Sequence, residues 1–289
     1  MKPPPFAYHR AHSIPEAIQL LSRLENAKLL AGGQSLMAML NLRYLHPENL
    51  VDINRIPELG GISVDKGMLR IGAMTRQQAI KTSVEVLKTA PIFAEALAHV
   101  GHRQTRNRGT IGGSLCHLDP AAELPALALL HDAVVTVVGP RGERKIGMAA
   151  FVVDYMTTAI DADELVTLVE IPLWRAGHGY GFAEFARRHG DFAIAAAACL
   201  MECDASGRLT RVAISIAGVA ATPIRLTAAE TALMGKVASA ELFAMAAVHC
   251  ADIAAVGDAH SSAGYRKKVA AAMLRRALAD ARGRMEKNT

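Results

Sequence analysis

The sequence predicts an α+β protein of more than one domain rather than a doubly wound parallel sheet. Apolar strand-like runs and amphipathic helical stripes are mixed along the chain without a regular strand–helix–strand repeat. The GxGxxG fingerprint, which follows the first strand of a dinucleotide-binding Rossmann fold, is also absent. A chain of 289 residues has room for roughly one large or two to three small domains.

The first predicted elements form a small α/β unit. Ser13 and Glu16 have the spacing of a capping box, so a helix is expected to begin after Ser13. Lys28–Ala31 and Leu50–Ile53 are short apolar runs typical of buried strands, and a second helix is predicted over Ser35–Tyr44.

The middle of the chain is predicted to continue with strands and helices. Asp65–Gly67 has the composition of a hairpin turn between strands Ile62–Val64 and Met68–Ile71. Thr75 is predicted to cap a helix. The other segments predicted here are an apolar helix over Ile92–Val100, a leucine-rich helix near Leu124–Leu130, strands over Ala133–Val138 and Glu164–Ile171, and a turn at Gly139–Gly142.

The last third is predicted to form a further α+β unit. Gly177–Gly181 is glycine-rich and is the candidate linker into it. Ala193–Met201 and Arg211–Gly218 are predicted as antiparallel strands joined through Asp204–Gly207. The remainder is predicted to be helical and to end in an amphipathic helix over Tyr265–Arg282.

Composition excludes several classes of function. The net charge is only +5, and the basic clusters Arg103–Arg108 and Arg266–Lys268 have no interleaved aromatic residues, so no nucleic-acid partner is expected. Three residues separate Cys199 from Cys203 and no second pair follows, so neither a zinc site nor an iron–sulfur cluster is encoded. The P-loop, HExxH and GxSxG motifs are missing as well.

The chain carries no recognisable targeting or membrane segment. Its first ten residues lack the apolar stretch of a signal peptide, and no uncharged run reaches the length of a membrane span. We therefore expect a cytoplasmic protein with no membrane span.

Two glycine segments are the most informative feature. Leu29–Leu36 and Gly109–Pro125 each contain a Gly-Gly pair followed by short polar side chains. A backbone without side chains can direct several N–H groups at an anion, so Gly32–Ser35 and Gly112–Ser114 are predicted to bind one through their N–H groups. Two such segments in one chain predict a diphosphate-bearing cofactor held from both sides.

These segments resemble a known signature. Ala31–Leu36 and Thr110–Pro125 are similar to the FAD-binding motifs of the medium-subunit family of molybdenum hydroxylases, which includes carbon monoxide dehydrogenase, quinoline 2-oxidoreductase and the flavin domain of xanthine dehydrogenase. The resemblance continues in order through the following segments and covers essentially the whole chain: Leu50–Ile53, Glu170–Pro172, Phe185–Ala193, Tyr265–Val269 and Leu274–Leu278.

The resemblance implies a fold and three domains. The fold would be a two-part FAD-binding domain of the vanillyl-alcohol-oxidase and molybdenum-hydroxylase flavoprotein type, followed by a C-terminal α+β domain. The implied boundaries are 1–57 and 58–176 for the two FAD-binding subdomains and 177–289 for the C-terminal domain.

The resemblance also implies the residues that contact FAD. A carboxylate should accept hydrogen bonds from the ribose, with Glu123 favoured and Asp119 its neighbour; Phe192 should pack on the isoalloxazine ring, with Asp191 holding its turn. Glu184 stands where the xanthine dehydrogenase type has lysine, which puts a charged cofactor contact there in doubt. For Cys116 and His117, which lie in the second motif, a contact with the flavin and a local packing role both stay open. The remaining implied contacts are Leu29, Leu30, Ala31, Gly32, Gly33, Gln34, Ser35, Leu36, Thr110, Ile111, Gly112, Gly113, Ser114 and Val166.

The family resemblance implies an electron-transfer subunit with no catalytic acid or base. A small partner with two 2Fe–2S clusters would deliver electrons, a large partner would hold the molybdenum cofactor, and the complex would be a dimer of heterotrimers. Two alternatives stay open: a stand-alone FAD oxidoreductase of the same fold, and a non-enzymatic binding or assembly protein that keeps the glycine segments only as structure. The substrate and the electron acceptor are not indicated by the sequence.

Overall fold

The computed structural model describes residues 1–286, which form three main β-sheets with helices packed around them. The strands are β1 (Ala7–Arg10), β2 (Ala27–Leu30), β3 (Asn49–Asp52), β4 (Ile62–Asp65), β5 (Met68–Gly72), β6 (Val134–Gly139), β7 (Gly142–Gly147), β8 (Val152–Asp154), β9 (Thr157–Thr158), β10 (Leu165–Pro172), β11 (Gly179–Phe185), β12 (Ala195–Cys203), β13 (Leu209–Ala217) and β14 (Ile224–Arg225).

The helices are mostly short, and the last is the longest. They are α1 (Ile14–Arg23), α2 (Leu36–Asn41), α3 (Gln77–Thr82), α4 (Val84–Thr89), α5 (Ile92–Ala96), α6 (Arg103–Arg108), α7 (Ile111–His117), α8 (Glu123–Leu130), α9 (Met148–Phe151), α10 (Thr227–Leu233), α11 (Ala240–Ala247) and α12 (Ala263–Glu286).

The first sheet is parallel, with β3 between β1 and β2. The capping box of α1 is confirmed: Ser13 Oγ accepts a hydrogen bond from the Glu16 N–H at 3.3 Å, and Glu16 Oε2 accepts one from the His12 N–H at 2.7 Å. Strand β1 was not predicted, because this edge strand is largely exposed and carries no apolar run.

The second sheet has the order β4-β5-β10-β6-β7 and is antiparallel throughout. The predicted hairpin turn is confirmed, with Lys66 and Gly67 both at positive φ. The cap predicted at Thr75 is wrong: its hydroxyl donates to the Gly61 carbonyl oxygen at 3.0 Å, and α3 begins after Arg76 without a side-chain cap. The edge strand β7 was missed because it is charged and exposed.

The third sheet is antiparallel in the order β11-β12-β13-β14, and helix α12 packs against β11. The linker predicted over Gly177–Gly181 is wrong, since Gly179 and Gly181 belong to β11. A Cβ atom at Gly181 would lie 2.0 Å from the carbonyl oxygen of Ala277 in α12. These glycines allow close contact between helix and sheet rather than flexibility.

Strand β12 is buried on both faces and joins two parts of the core. Alternate residues face opposite sides of a strand. Ala196, Ala198 and Leu200 pack into the core around α5 and α8, whereas Ala195, Ala197, Cys199 and Met201 pack into the core that includes α10, α11 and α12. The C-terminal sheet is therefore sandwiched between the middle of the chain and the last helix.

Replacing Gly181 by alanine should destabilise the fold. The added Cβ overlaps the Ala277 carbonyl oxygen, so α12 must move off β11, at a cost of about 1–3 kcal/mol. Gly283 is a matched control in α12, because nothing among residues 1–286 lies within 4 Å of its Cβ position. Alanine there should raise the free energy of unfolding by about 0.5–1 kcal/mol. Urea unfolding measures both variants, and equal midpoints would contradict this packing argument.

Within residues 1–286, none of the helices combines the length and the apolar character needed to cross a membrane.

Candidate cofactor site

The two glycine segments lie against each other. A Cβ atom on Gly32 would stand 2.3 Å from the carbonyl oxygen of Arg108 and 2.9 Å from the Cα atom of Gly109. A Cβ atom on Gly113 would stand 3.7 Å from the Cβ atom of Ala31. The close approach of the two backbones explains why Gly32 carries no side chain.

The first segment offers free backbone donors between β2 and α2. Gly33 has a φ of 72°, which turns the chain sharply into the helix. Within the described part of the chain, the N–H groups of Gly32, Gly33, Gln34 and Ser35 have no acceptor. Four consecutive unpaired donors in a bare loop suit an anion such as a diphosphate, so this segment fits the predicted cofactor.

The second segment is not a bare turn but the first turn of α7. Thr110 caps this helix, and its Oγ1 atom accepts from the Gly113 N–H at 3.1 Å. The Gly112 N–H donates to the Ala73 carbonyl at 2.8 Å and the Ser114 N–H to the Thr110 carbonyl at 3.1 Å. All three N–H groups donate within the protein here, so their contact with the anion stays a prediction.

The glycines of the second segment serve packing. A Cβ atom on Gly112 would lie 2.7 Å from the Cβ atom of Ala73, which follows β5. With any larger residue at position 112, helix α7 could not pack this close to the end of that strand. The half-buried Ser114 hydroxyl stays a predicted contact of the cofactor. Two residues that the sequence analysis did not select, Asn54 and Arg76, connect this segment to the first.

The loop after α7 carries the two carboxylates predicted to bind ribose. Leu118 is in the left-handed region with a φ of 51°, and half-buried Asp119 follows it. One Asp119 oxygen accepts from the Ala121 N–H at 2.8 Å, which shapes the turn into α8. Glu123 opens α8, only 9% exposed, and it faces a second carboxyl group rather than open space.

That second group is the carboxyl of Glu184 on β11, which interacts with the carboxyl of Glu123 in a largely buried position. Burial and the charge of Glu184 raise the pKa of Glu123 to about 8, and burial raises the pKa of Glu184 to about 7. Among the described residues, no donor reaches the buried Glu184 Oε2 atom. A proton held between the two carboxyls would give this oxygen a hydrogen-bond partner. His99 lies nearby, with Nδ1 3.9 Å from Glu184 Oε1.

An exposed phenyl ring stands on the loop between β11 and β12. Phe192 is 70% exposed, and its N–H donates to Asp191 Oδ1 at 3.0 Å, so Asp191 shapes this turn. The loop rests on the middle of the chain, because a Cβ atom on Gly190 would lie 2.9 Å from the Gly101 carbonyl oxygen.

Two contacts place the end of this loop beside the Asp119 loop. The Gly218 N–H donates to the Pro120 carbonyl oxygen at 2.7 Å. A Cβ atom on the same glycine would lie 2.8 Å from the Ala193 carbonyl oxygen. Phe192 therefore belongs to the same region as the carboxylates predicted for the ribose.

The apolar contacts implied by the resemblance differ in exposure. Val166 on β10 is 3% exposed and packs within the core, and Ile111 is fully buried. Leu29, Leu30 and Leu36 are half-buried beside the first glycine segment. Contacts of these residues with a cofactor stay predictions.

Two polar side chains of the second segment, Cys116 and His117, have pKa values that burial shifts toward their neutral forms. Burial raises the pKa of the Cys116 thiol to about 12, so it holds its proton. Burial also lowers the pKa of His117. Across residues 1–286, no group of three or more His, Cys, Asp or Glu side chains is arranged to bind a metal ion.

The fold and the site together define a class of protein. The site combines a loop with four free backbone donors, a second glycine segment packed on that loop and an exposed aromatic ring. Because the chain has no Rossmann fingerprint, this combination suits a dinucleotide cofactor that carries a large ring system, as a flavin nucleotide does. The class is a flavin-nucleotide protein.

Comparison with known proteins gives the family. Residues 4–174 match the FAD binding domain in molybdopterin dehydrogenase, and residues 180–281 match the CO dehydrogenase flavoprotein C-terminal domain. The chain belongs to this family of FAD-binding flavoprotein subunits of molybdenum hydroxylases, and it is an oxidoreductase subunit whose cofactor is FAD.

Two curated relatives align along nearly the whole chain. The 6-hydroxypseudooxynicotine dehydrogenase complex subunit alpha of Paenarthrobacter nicotinovorans is 43% identical, covering 97% of this chain and 96% of the relative. The carbon monoxide dehydrogenase medium chain of Hydrogenophaga pseudoflava is 36% identical, covering 96% and 97%.

Solved structures of the same family superimpose closely. Carbon monoxide dehydrogenase from Hydrogenophaga pseudoflava lacking the Mo-pyranopterin moiety matches with a TM-score of 0.95 at 38% identity, covering 98% of this chain and 99% of that chain. Quinoline 2-oxidoreductase from Pseudomonas putida 86 matches with a TM-score of 0.94 at 35% identity, covering 99% and 100%. The predicted α+β flavoprotein fold is confirmed.

Proposed function

We propose that this chain is the subunit through which electrons leave a molybdenum-dependent dehydrogenase complex. It carries FAD, receives electrons from iron–sulfur clusters of a partner and passes them to an external acceptor. The main support for this proposal is the contact between the two glycine segments, together with the unpaired N–H groups of Gly32–Ser35 beside that contact.

The FAD site is assigned to both glycine segments and to two loops. When bound, FAD supplies the exchange between one-electron and two-electron transfer. The N–H groups of Gly32–Ser35 hold its diphosphate, with the Ser35 and Ser114 hydroxyls as further donors. Phe192 covers the ring system and excludes water from one of its faces.

Of the two carboxylates, Asp119 is the better ribose ligand. Asp119 is half-buried, and only one of its oxygens is used by the Ala121 N–H. Glu123 is engaged with Glu184 and holds or shares a proton near neutral pH, which leaves it a poor acceptor. We therefore propose Asp119, rather than Glu123, as the ribose ligand.

The partners and domains are part of the proposal. Relatives named as a medium chain and as a complex subunit support a multi-subunit assembly. The finer composition proposed is a small subunit with two 2Fe–2S clusters, a large molybdenum-cofactor subunit and a dimer of heterotrimers. The proposed domains are residues 1–57, 58–176 and 177–289, each containing one of the three main sheets. A cytoplasmic location stays a prediction from the sequence.

Purification of the tagged chain from its native host tests the assembly. We expect two further chains, with iron, molybdenum and one FAD for each copy of this chain, measured by mass spectrometry, metal analysis and flavin extraction. Isolation as a lone flavoprotein that bleaches with its own substrate would support the stand-alone oxidoreductase instead. A colourless complex that FAD cannot reconstitute would support the binding or assembly protein.

A further inference from the structure

A chain of hydrogen bonds joins the two glycine segments through two side chains. Asn54 Nδ2 donates to the carbonyl oxygens of Leu30 at 3.2 Å and of Ala31 at 2.8 Å, immediately before Gly32. Asn54 Oδ1 accepts from one terminal nitrogen of Arg76 at 2.6 Å. The other terminal nitrogen donates to the Arg108 carbonyl oxygen, also at 2.6 Å.

The Arg108 carbonyl is the atom that the first segment touches. A Cβ atom on Gly32 would stand 2.3 Å from this oxygen, so Gly32 and the Arg76 guanidinium meet the same carbonyl group. The backbone of Arg76 also pairs with Thr110 in a single antiparallel bridge. Any displacement of Arg76 therefore changes the spacing between Gly32 and the helix cap at Thr110.

The Arg76 guanidinium donates to two neutral oxygens. Its orientation is therefore explained by the directions of these two hydrogen bonds rather than by an ion pair. A planar guanidinium holds two acceptors in fixed directions, which a lysine ammonium cannot do. Burial and the nearby charge of Arg108 lower the pKa of Arg76. The Asp52 carboxylate accepts hydrogen bonds from the Tyr8 hydroxyl and the Asn54 amide.

We propose that Arg76 is a positioning residue that, with Asn54, fixes the spacing of the two glycine segments and so sets the affinity for FAD. The inference rests on the proposed function, since it assumes that FAD lies across both segments. Arg76 acts directly on the Arg108 carbonyl and, through Asn54, on the Ala31 carbonyl. These hydrogen bonds leave the loop N–H groups aligned before FAD arrives.

The test uses Arg76→Met and Arg76→Lys in the co-expressed complex, with Arg70→Met as control. Arg70 lies on β5 and pairs with Glu170 at 3.0 Å, in the same part of the chain. We expect both Arg76 variants to weaken FAD binding about tenfold or more in fluorescence titrations, and to shift the phosphorus-NMR signals of the bound diphosphate. The control should match the wild type in both measurements.

A second variant guards against loss of folding. Asn54→Ser breaks the same chain of hydrogen bonds at its other end. Because both substitutions act on one link, the variant that carries Arg76→Met and Asn54→Ser together should bind FAD no more weakly than the single variant with the lower affinity. Thermal unfolding shows which variants are folded. Wild-type affinity in Arg76→Lys, or additive losses in the double variant, would overturn the inference. A wild-type complex without FAD would refute the proposed function instead.

Discussion

Replacing Gly32 by valine should strongly reduce the FAD content of the assembled complex. The new side chain has no space, because its Cβ atom would lie 2.3 Å from the Arg108 carbonyl oxygen and 2.9 Å from the Cα atom of Gly109. Both neighbours are backbone atoms that cannot rotate away, so the two glycine segments must separate. The free N–H groups of Gly32–Ser35 then lose their alignment with the second segment.

The expected loss of affinity follows from the cost of overpacking. Forcing a side chain into a filled contact costs typically about 1–3 kcal/mol, which corresponds to roughly 5- to 140-fold weaker binding if the whole cost falls on the FAD-bound state. Flavin extracted from the purified complex measures the effect. Gly147→Val is the matched control, because no atom of the described residues lies within 4 Å of its Cβ position and its φ is −64°. Equal flavin content in both variants would contradict the assigned site.

Replacing Glu184 by glutamine should stabilise the protein above neutral pH. In the folded state the pKa of Glu123 is raised to about 8 and that of Glu184 to about 7, chiefly by burial. In the unfolded chain both groups return to about 4.3. The folded state therefore binds more protons than the unfolded state between those values, and the free energy of unfolding falls as the pH rises from about 4.5 to about 8.

The glutamine removes one of the two charges and keeps the shape of the side chain. Its amide can donate to the Glu123 carboxylate, so the pair no longer needs a proton. The gain at pH of about 8 should be on the order of 2 kcal/mol. His99 and His117, both near this region, have pKa values lowered by burial and do not supply a compensating charge there.

Thermal unfolding between about pH 5 and about pH 8 measures the effect. Glu164→Gln is a control of opposite sign, because hydrogen bonding to Arg144 lowers the pKa of Glu164 and its charge stabilises the fold. That control should lose stability at neutral pH. Parallel pH profiles for the wild type and Glu184→Gln would show that the carboxyl pair is not protonated in the folded protein.

The sequence predicted the elements whose cause is local. The capping box at Ser13, the hairpin at Lys66-Gly67 and the apolar strands of the core all follow from neighbouring residues. The exposed edge strands β1 and β7 carry no apolar pattern and were missed. The glycines of β11 were misread because their cause is distant: helix α12 lies about 100 residues later in the chain and leaves no room for a Cβ atom.

The candidate site shows the same division. The two glycine segments were recognised from their composition, but their roles differ because of tertiary contacts. The N–H groups of Gly112–Ser114 are used by Thr110 and Ala73, whereas those of the first segment stay free. Arg76 and the Glu123–Glu184 pair depend on residues far apart in sequence, so no local pattern indicated them.

The most direct test of the electron path follows iron–sulfur reoxidation in the complex with and without FAD. The complex is reduced anaerobically and mixed with a soluble quinone while the visible absorption of the clusters is recorded. We expect rapid reoxidation in the FAD-loaded complex, a large slowing after FAD is stripped, and recovery when FAD is restored. Reoxidation of the stripped complex at the rate of the loaded one would contradict the assignment of this chain as the electron exit.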